Sequence, residues 1–173
     1  VVLIIDISGS MSNEDSNMDN GKSRIYNTIQ ATNNAIDELM ALNPYTRVAV
    51  VAFSSNAQVL LPLDRYTKVV TTEREWEGGR WDGQWVEKEV VNPYFSLSRE
   101  TGSSNNATLY TKAINSNNVT IDKNTSVSGG TNIQMGLYEG MQVLAEEEET
   151  TVTVNGNRLQ RVPSVVLLSD GSP

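Results

Sequence analysis

Three side chains at alternate positions near the start of the chain, Asp6, Ser8 and Ser10 in the run Asp6-Ile7-Ser8-Gly9-Ser10-Met11-Ser12, carry oxygen at a spacing that suits cation chemistry. In an extended segment alternation sets all three on one side, and Gly9 lets the chain curl so that a carboxylate and two hydroxyls converge. That is half of a cation site. Taken alone, the loop also fits a simple turn capped by Asp6. Two more segments bring oxygen donors: Gly129-Gly130-Thr131, and Ser169-Asp170-Gly171 at the end of an apolar run. The chain has no cysteine and no histidine, which removes disulfides, thiolate ligands, thiol nucleophiles, the commonest zinc ligand and the commonest general base. Any metal held here must sit among oxygens. Such sites suit hard divalent cations, Mg²⁺ foremost, with Mn²⁺ or Ca²⁺ as alternatives.

The elements that would position these groups are legible around them. Val1 to Ile5 is an apolar run ending at Asp6, the pattern of a parallel strand buried on both faces. Between Arg24 and Leu42, Ile25, Ile29, Ile36, Leu39 and Met40 fall at helical spacing with Asn27, Asn33, Asn34 and Asp37 between them, and Pro44 stops the helix. Arg47 to Phe53 predicts a second buried strand, which completes a strand, helix, strand unit of a parallel sheet. Ala57 to Leu63 follows a tight connection and is expected to run antiparallel to it. Thr71 to Gly130 keeps no long period and reads as an elaborated loop region with a short helix around Leu109 to Ile114. Thr131 to Glu147 is helical through Ile133, Leu137, Met141 and Leu144. Residues 151–162 form a hairpin about Asn155-Gly156, and Ser164 to Leu168 is a third buried strand.

In an open α/β sheet, ligands bind outside the carboxyl ends of the strands where the strand order reverses. If the first strand lies between the second and the one ending at Asp170, the Asp6 and Asp170 loops meet at that crevice. A helix running down to the last strand begins on the same edge, and Gly129-Gly130-Thr131 opens that helix. Three loops far apart in the chain thus deliver oxygens to one point.

Asp6-x-Ser8-x-Ser10, Thr131 after a glycine pair, and Asp170-Gly171 after an apolar strand together resemble the metal-ion-dependent adhesion site of von Willebrand factor A domains. The resemblance implies an α/β, doubly wound, Rossmann-like single domain over residues 1–173, with a mostly parallel sheet and one antiparallel edge strand. It implies that Ser8, Ser10 and Thr131 meet the ion through hydroxyls, while Asp6 and Asp170 act largely through water or as outer acceptors. Neutral hydroxyl ligands leave much of a cation's charge unneutralised, so an Asp or Glu of a protein partner entering the open position makes a strong bond. In relatives, movement of the Thr131 and Asp170 counterparts distinguishes states of different affinity. The resemblance also implies further strands and helices beyond the Asp170 loop, so the chain is expected to be a portion of a domain, its last strand left as an exposed edge.

Residues from about 71 to 108 form an insertion roughly forty residues longer than the family's plan requires. Trp76, Trp81 and Trp85 fall there among Gly78, Gly79 and Gly83, either as partner-binding anchors or sugar-stacking platforms, or as the insertion's own small core. Similar arms occur in Gram-positive surface and pilus-tip adhesins, which this acidic, Asn/Thr-rich chain resembles in style. The expected role is cation-dependent adhesion at a bacterial cell surface or pilus, toward a host or extracellular matrix protein. An intracellular assembly module serving a chelatase or ATPase is the alternative. A metal-dependent phosphotransfer enzyme is the third reading, and it wants a second Asp where Ser8 stands. Thirteen basic against twenty-one acidic side chains, net −8, argue against a nucleic-acid partner, and no apolar run is long enough to insert in a membrane.

Overall fold

The computed structural model describes residues 1–14, 21–100 and 107–170. Strand β1 (Val2–Asp6) leads through a 3₁₀ turn at Gly9–Ser12 to helix α1 (Arg24–Leu42), then β2 (Val48–Phe53) and β3 (Ala57–Asp64). The short β4 (Tyr66–Thr67) precedes β5 (Val70–Glu77), β6 (Gln84–Val91), β7 (Phe95–Leu97), β8 (Ala107–Asn115) and β9 (Thr120–Val127). Helix α2 (Ile133–Ala145), the hairpin β10 (Thr151–Val154) and β11 (Asn157–Gln160), and β12 (Val165–Leu168) complete the described elements.

The main sheet has the order β12-β1-β2-β3, with β1 parallel to both β12 and β2, and β3 antiparallel at the edge. This is the α/β architecture expected from the sequence, and β1 lies between β2 and β12, the arrangement on which the meeting of the Asp6 and Asp170 loops depends. Every residue of β1 and β2 is buried, and the pleat divides them between two cores. Leu3, Ile5, Val48, Val50 and Ala52 pack with Ile25, Ile29 and Ile36 of α1, while Val2, Ile4, Ala49, Val51 and Phe53 meet Ile133, Val143 and Leu144 of α2. One helix covers each face, and each fully buried aliphatic side chain contributes about 1.5–3 kcal/mol.

Helix α2 approaches the sheet through glycines. A methyl group added at Gly136 would lie 2.7 Å from Phe53 Cδ1, and one at Gly140 would lie 2.6 Å from Ile4 Cδ1. The helix therefore sits lower on the sheet than its Leu137–Met141 row predicts, and those two side chains are exposed instead. On α1, Asn33 is buried rather than solvated: its Oδ1 accepts the Phe95 N–H at 3.0 Å and its Nδ2 donates to the Phe95 carbonyl at 2.9 Å. A side chain thus makes the pair of bonds that a neighbouring strand would make, and it docks β7 on the helix.

Between Thr71 and Gly130 the described residues build strands rather than an elaborated loop. Residues Leu109 to Ile114, expected as a short helix, belong to the nine-residue strand β8, whose Ala107, Leu109, Thr111 and Ala113 are buried in alternation. Period two prevails because β8 has partners on both sides, β9 along one and β4 and β7 along the other. Phe95, Leu109, Ala113 and Val127 of this second sheet join the α1 core. The β5–β6 pair forms a separate two-stranded arm. The Asn155-Gly156 hairpin forms as expected, with φ of +50° and +81° at its two turn residues, the handedness that two-residue hairpin turns require. β12 is an outer strand rather than a buried one, its Val165, Val166 and Leu167 between 36% and 43% exposed, because β1 covers it on one side only. No helix among the described residues is long and apolar enough to cross a membrane.

Candidate metal centre

At the carboxyl end of β1, Asp6 is fully buried, and its two oxygens hold two different loops. Oδ1 accepts the Ser8 backbone N–H at 2.8 Å, which curls the first loop, and Oδ2 accepts the Ser169 hydroxyl at 2.7 Å, which ties in the loop after β12. The first loop then winds through the 3₁₀ turn, with Met11 N–H on the Ser8 carbonyl and Met11 buried as its anchor. Ser8 Oγ, itself buried, and Ser10 Oγ lie 3.1 Å apart. Alternation along the strand and this turn together point the two hydroxyls at one spot.

The third loop is fastened from both sides. Gly9 N–H donates to the Gly129 carbonyl at 3.0 Å, the Gly130 N–H donates to Ser55 Oγ at 2.9 Å, and the Asn132 N–H donates to the Ser54 carbonyl at 2.7 Å. Gly129 adopts φ +92°, a conformation that favours glycine and lets the backbone come close to Gly9. Thr131 is half-buried between these anchors, directly before Asn132, whose side chain caps α2 by accepting the Met135 N–H. Asp170 Oδ2 lies 2.6 Å from Arg24 Nη1, and its side chain is 7% exposed. Gly171, named with Asp170 in the motif, lies outside the described residues.

All five oxygen-bearing residues singled out in the sequence thus sit on loops that leave the same edge of the sheet, knotted through Asp6, Gly9 and Gly129. Among the described residues, no three Asp or Glu side chains cluster as a carboxylate-rich site would, so a cation at this corner would depend on the hydroxyls. The partners that spacing alone does not reveal are Ser169, Ser54, Ser55 and Arg24, all brought in by tertiary contacts. The Ser after β12, in Leu168-Ser169-Asp170, carries the one local hint.

The tryptophans lie elsewhere, on the β5–β6 arm. Trp76 and Trp85 are a cross-strand pair with ring centroids 5.5 Å apart, edge to face, and Trp76 Nε1 donates to the Gly79 carbonyl at 3.3 Å. Gly83 leaves room for the Trp76 indole, whose ring atoms would lie 2.4 Å from any added methyl group. Trp81, at the tip, is 92% exposed with the Arg80 guanidinium 5.5 Å from its ring centre. No hydrogen bond joins arm and corner among the described residues.

No curated protein matches this chain. Residues 1–78, from β1 to the end of β5, match the family model of the von Willebrand factor type A domain, which supports an A-type domain and, with it, a protein-interaction module.

Proposed function

We propose that the chain is a cation-dependent protein-binding module whose site comprises Asp6, Ser8, Ser10, Thr131 and Asp170, and which works by binding rather than by turnover. The observation that carries this reading is the double anchorage of Asp6, which draws the loops after β1 and β12 together where the Gly9–Gly129 bond brings in the third. The donor set fits a hard divalent ion: hydroxyls and carboxylates only, with Ser8 and Ser10 oxygens already paired at 3.1 Å. A bound Mg²⁺, Mn²⁺ or Ca²⁺ would supply a Lewis-acid position, incompletely neutralised by hydroxyl ligands, to a carboxylate of the partner.

The chain's own residues do the rest. Asp6 holds the first loop in its curl and orients Ser169. The Ser54, Ser55 and Gly9 contacts hold the backbone on both sides of Thr131, so the loop that carries its hydroxyl is fixed at the corner. The exposed Trp81 and the Trp76–Trp85 pair provide a second, aromatic contact surface, carried on the arm and separate from the corner. The setting proposed is adhesion at a bacterial cell surface or pilus tip, toward a host or extracellular matrix protein. It is supported by the acidic, cysteine-free composition and by the projecting arm.

An array of synthetic peptides containing Glu or Asp, each with its Gln or Asn counterpart, tests the reading. Binding of a subset of the acidic peptides in Mg²⁺, with loss in EDTA and in Asp6→Ala and Thr131→Ala chains, is expected. Undiminished binding in EDTA, or equal binding of the amide counterparts, would sink it.

A further inference from the structure

Arg24 is the first residue of α1, and its backbone N–H is held by the Asn13 carbonyl at 2.9 Å, so the start of the helix is fastened to the end of the first loop. From there its side chain crosses to Asp170 and puts Nη1 2.6 Å from Oδ2. The two are unequally exposed, 29% for Arg24 and 7% for Asp170. A carboxylate this enclosed needs a counter-charge, and the guanidinium provides one. Arg24 and Asp170 themselves line a hollow of about 450 Å³, together with Met11, Asn27, Thr28 and Leu168.

On the basis of the cation-site reading above, we infer that Arg24 is a resident counter-ion that competes with the divalent cation for Asp170 and thereby sets the affinity of the site. Two effects act in the same direction. Engaging Asp170 at the site weakens its pair with Arg24, and a guanidinium left nearby repels a second positive charge. The competition also couples α1 to the corner, because the residue displaced is the helix's first.

The role is distinct from a merely structural one, since a structural arginine would lower cation affinity when removed, whereas a competitor raises it. The test is Mn²⁺ binding, followed by the paramagnetic resonance signal of the free ion, on the wild-type chain and on Arg24→Gln, Arg24→Lys and Asp6→Asn. Arg24→Gln is expected to bind Mn²⁺ about tenfold more tightly, within the range of couplings between linked sites. Arg24→Lys, which keeps the positive charge that faces Asp170 through one contact, is expected to stay within about twofold of wild type. In EDTA, Arg24→Gln should melt at a lower temperature than wild type, while in the Asp170→Asn background the same change should have a much smaller effect, as the two form a pair.

Unchanged or weaker Mn²⁺ binding by Arg24→Gln, alongside wild-type binding that Asp6→Asn abolishes, would overturn the competition and leave the cation site standing. Wild-type binding that is absent, or indifferent to Asp6→Asn, would overturn both. Should Arg24→Gln fail to fold in EDTA, Arg24→Met decides, since it keeps much of the apolar stem and removes the charge: Mn²⁺ binding about tenfold tighter than wild type supports the competition, and unchanged or weaker binding overturns it.

Discussion

The corner at the end of β1 and the arm of β5 and β6 hold their functional candidates in opposite ways. At the corner each loop is bonded to another that is distant in sequence: Asp6 to Ser169, Gly9 to Gly129, Gly130 to Ser55 and Arg24 to Asp170. On the arm, every described pairing is local to the hairpin: Trp76 with Trp85, Arg74 with Glu87, and Lys88 with Glu75 and Glu77. Burial follows the same division. Asp6 and Ser8 are enclosed, while all three tryptophans are exposed. A site that must hold several oxygens at fixed separations needs the first kind of support, because a small displacement spoils the geometry. A contact surface that meets a partner through aromatic area tolerates the second.

Substitutions at the corner should therefore be costly to the whole domain, and those on the arm should stay on the arm. The largest effect is expected from Asp6→Ala, which removes the buried carboxylate that accepts from the Ser8 N–H and the Ser169 hydroxyl; the loss should be about 3 kcal/mol, read from the urea midpoint in EDTA. Beneath the corner, Gly136→Ala drives a methyl group against the Phe53 ring, and overpacking outweighs the gain in helix propensity by about 1–2 kcal/mol in the same titration. Trp76→Ala should lower protection of the β5–β6 amides against hydrogen exchange by roughly 1 kcal/mol while leaving the global urea midpoint unmoved. A fall in the global midpoint would show that the arm is wired into the core after all. Smallest of all, Lys88→Ala removes exposed ion pairs and should change stability by less than about 0.5 kcal/mol.

The same contrast explains what was legible in the sequence. Val1 to Ile5 and Arg47 to Phe53 announce themselves because strands buried on both faces must be apolar throughout. That the first strand lies between the second and the one ending at Asp170 is a condition of the sequence reading, and the observed order β12-β1-β2-β3 meets it. β8 is harder to read: Leu109, Ala113 and Ile114 satisfy a helical spacing, and only the partners on both sides select the extended form. Gly136 and Gly140 carry no side chain to mark a helix face, so the Leu137–Met141 row misleads about which side meets the sheet. Asn33 and Arg24 look like ordinary polar helix residues until β7 and the β12 loop arrive beside them. At the corner, residue types and spacing named five oxygen-bearing residues that the fold places on neighbouring loops, whereas the bonds that hold those loops together are long-range and leave no local trace.

The central claim is that the corner, and not the arm, binds a divalent cation. Counting Mn²⁺ per chain at saturation in wild-type, Asp6→Asn and Trp81→Ala chains tests it most directly. One tightly held ion per chain in wild type and Trp81→Ala, with none in Asp6→Asn, is the predicted result. No tightly held ion in wild type, or an equal ion in Asp6→Asn, would contradict it.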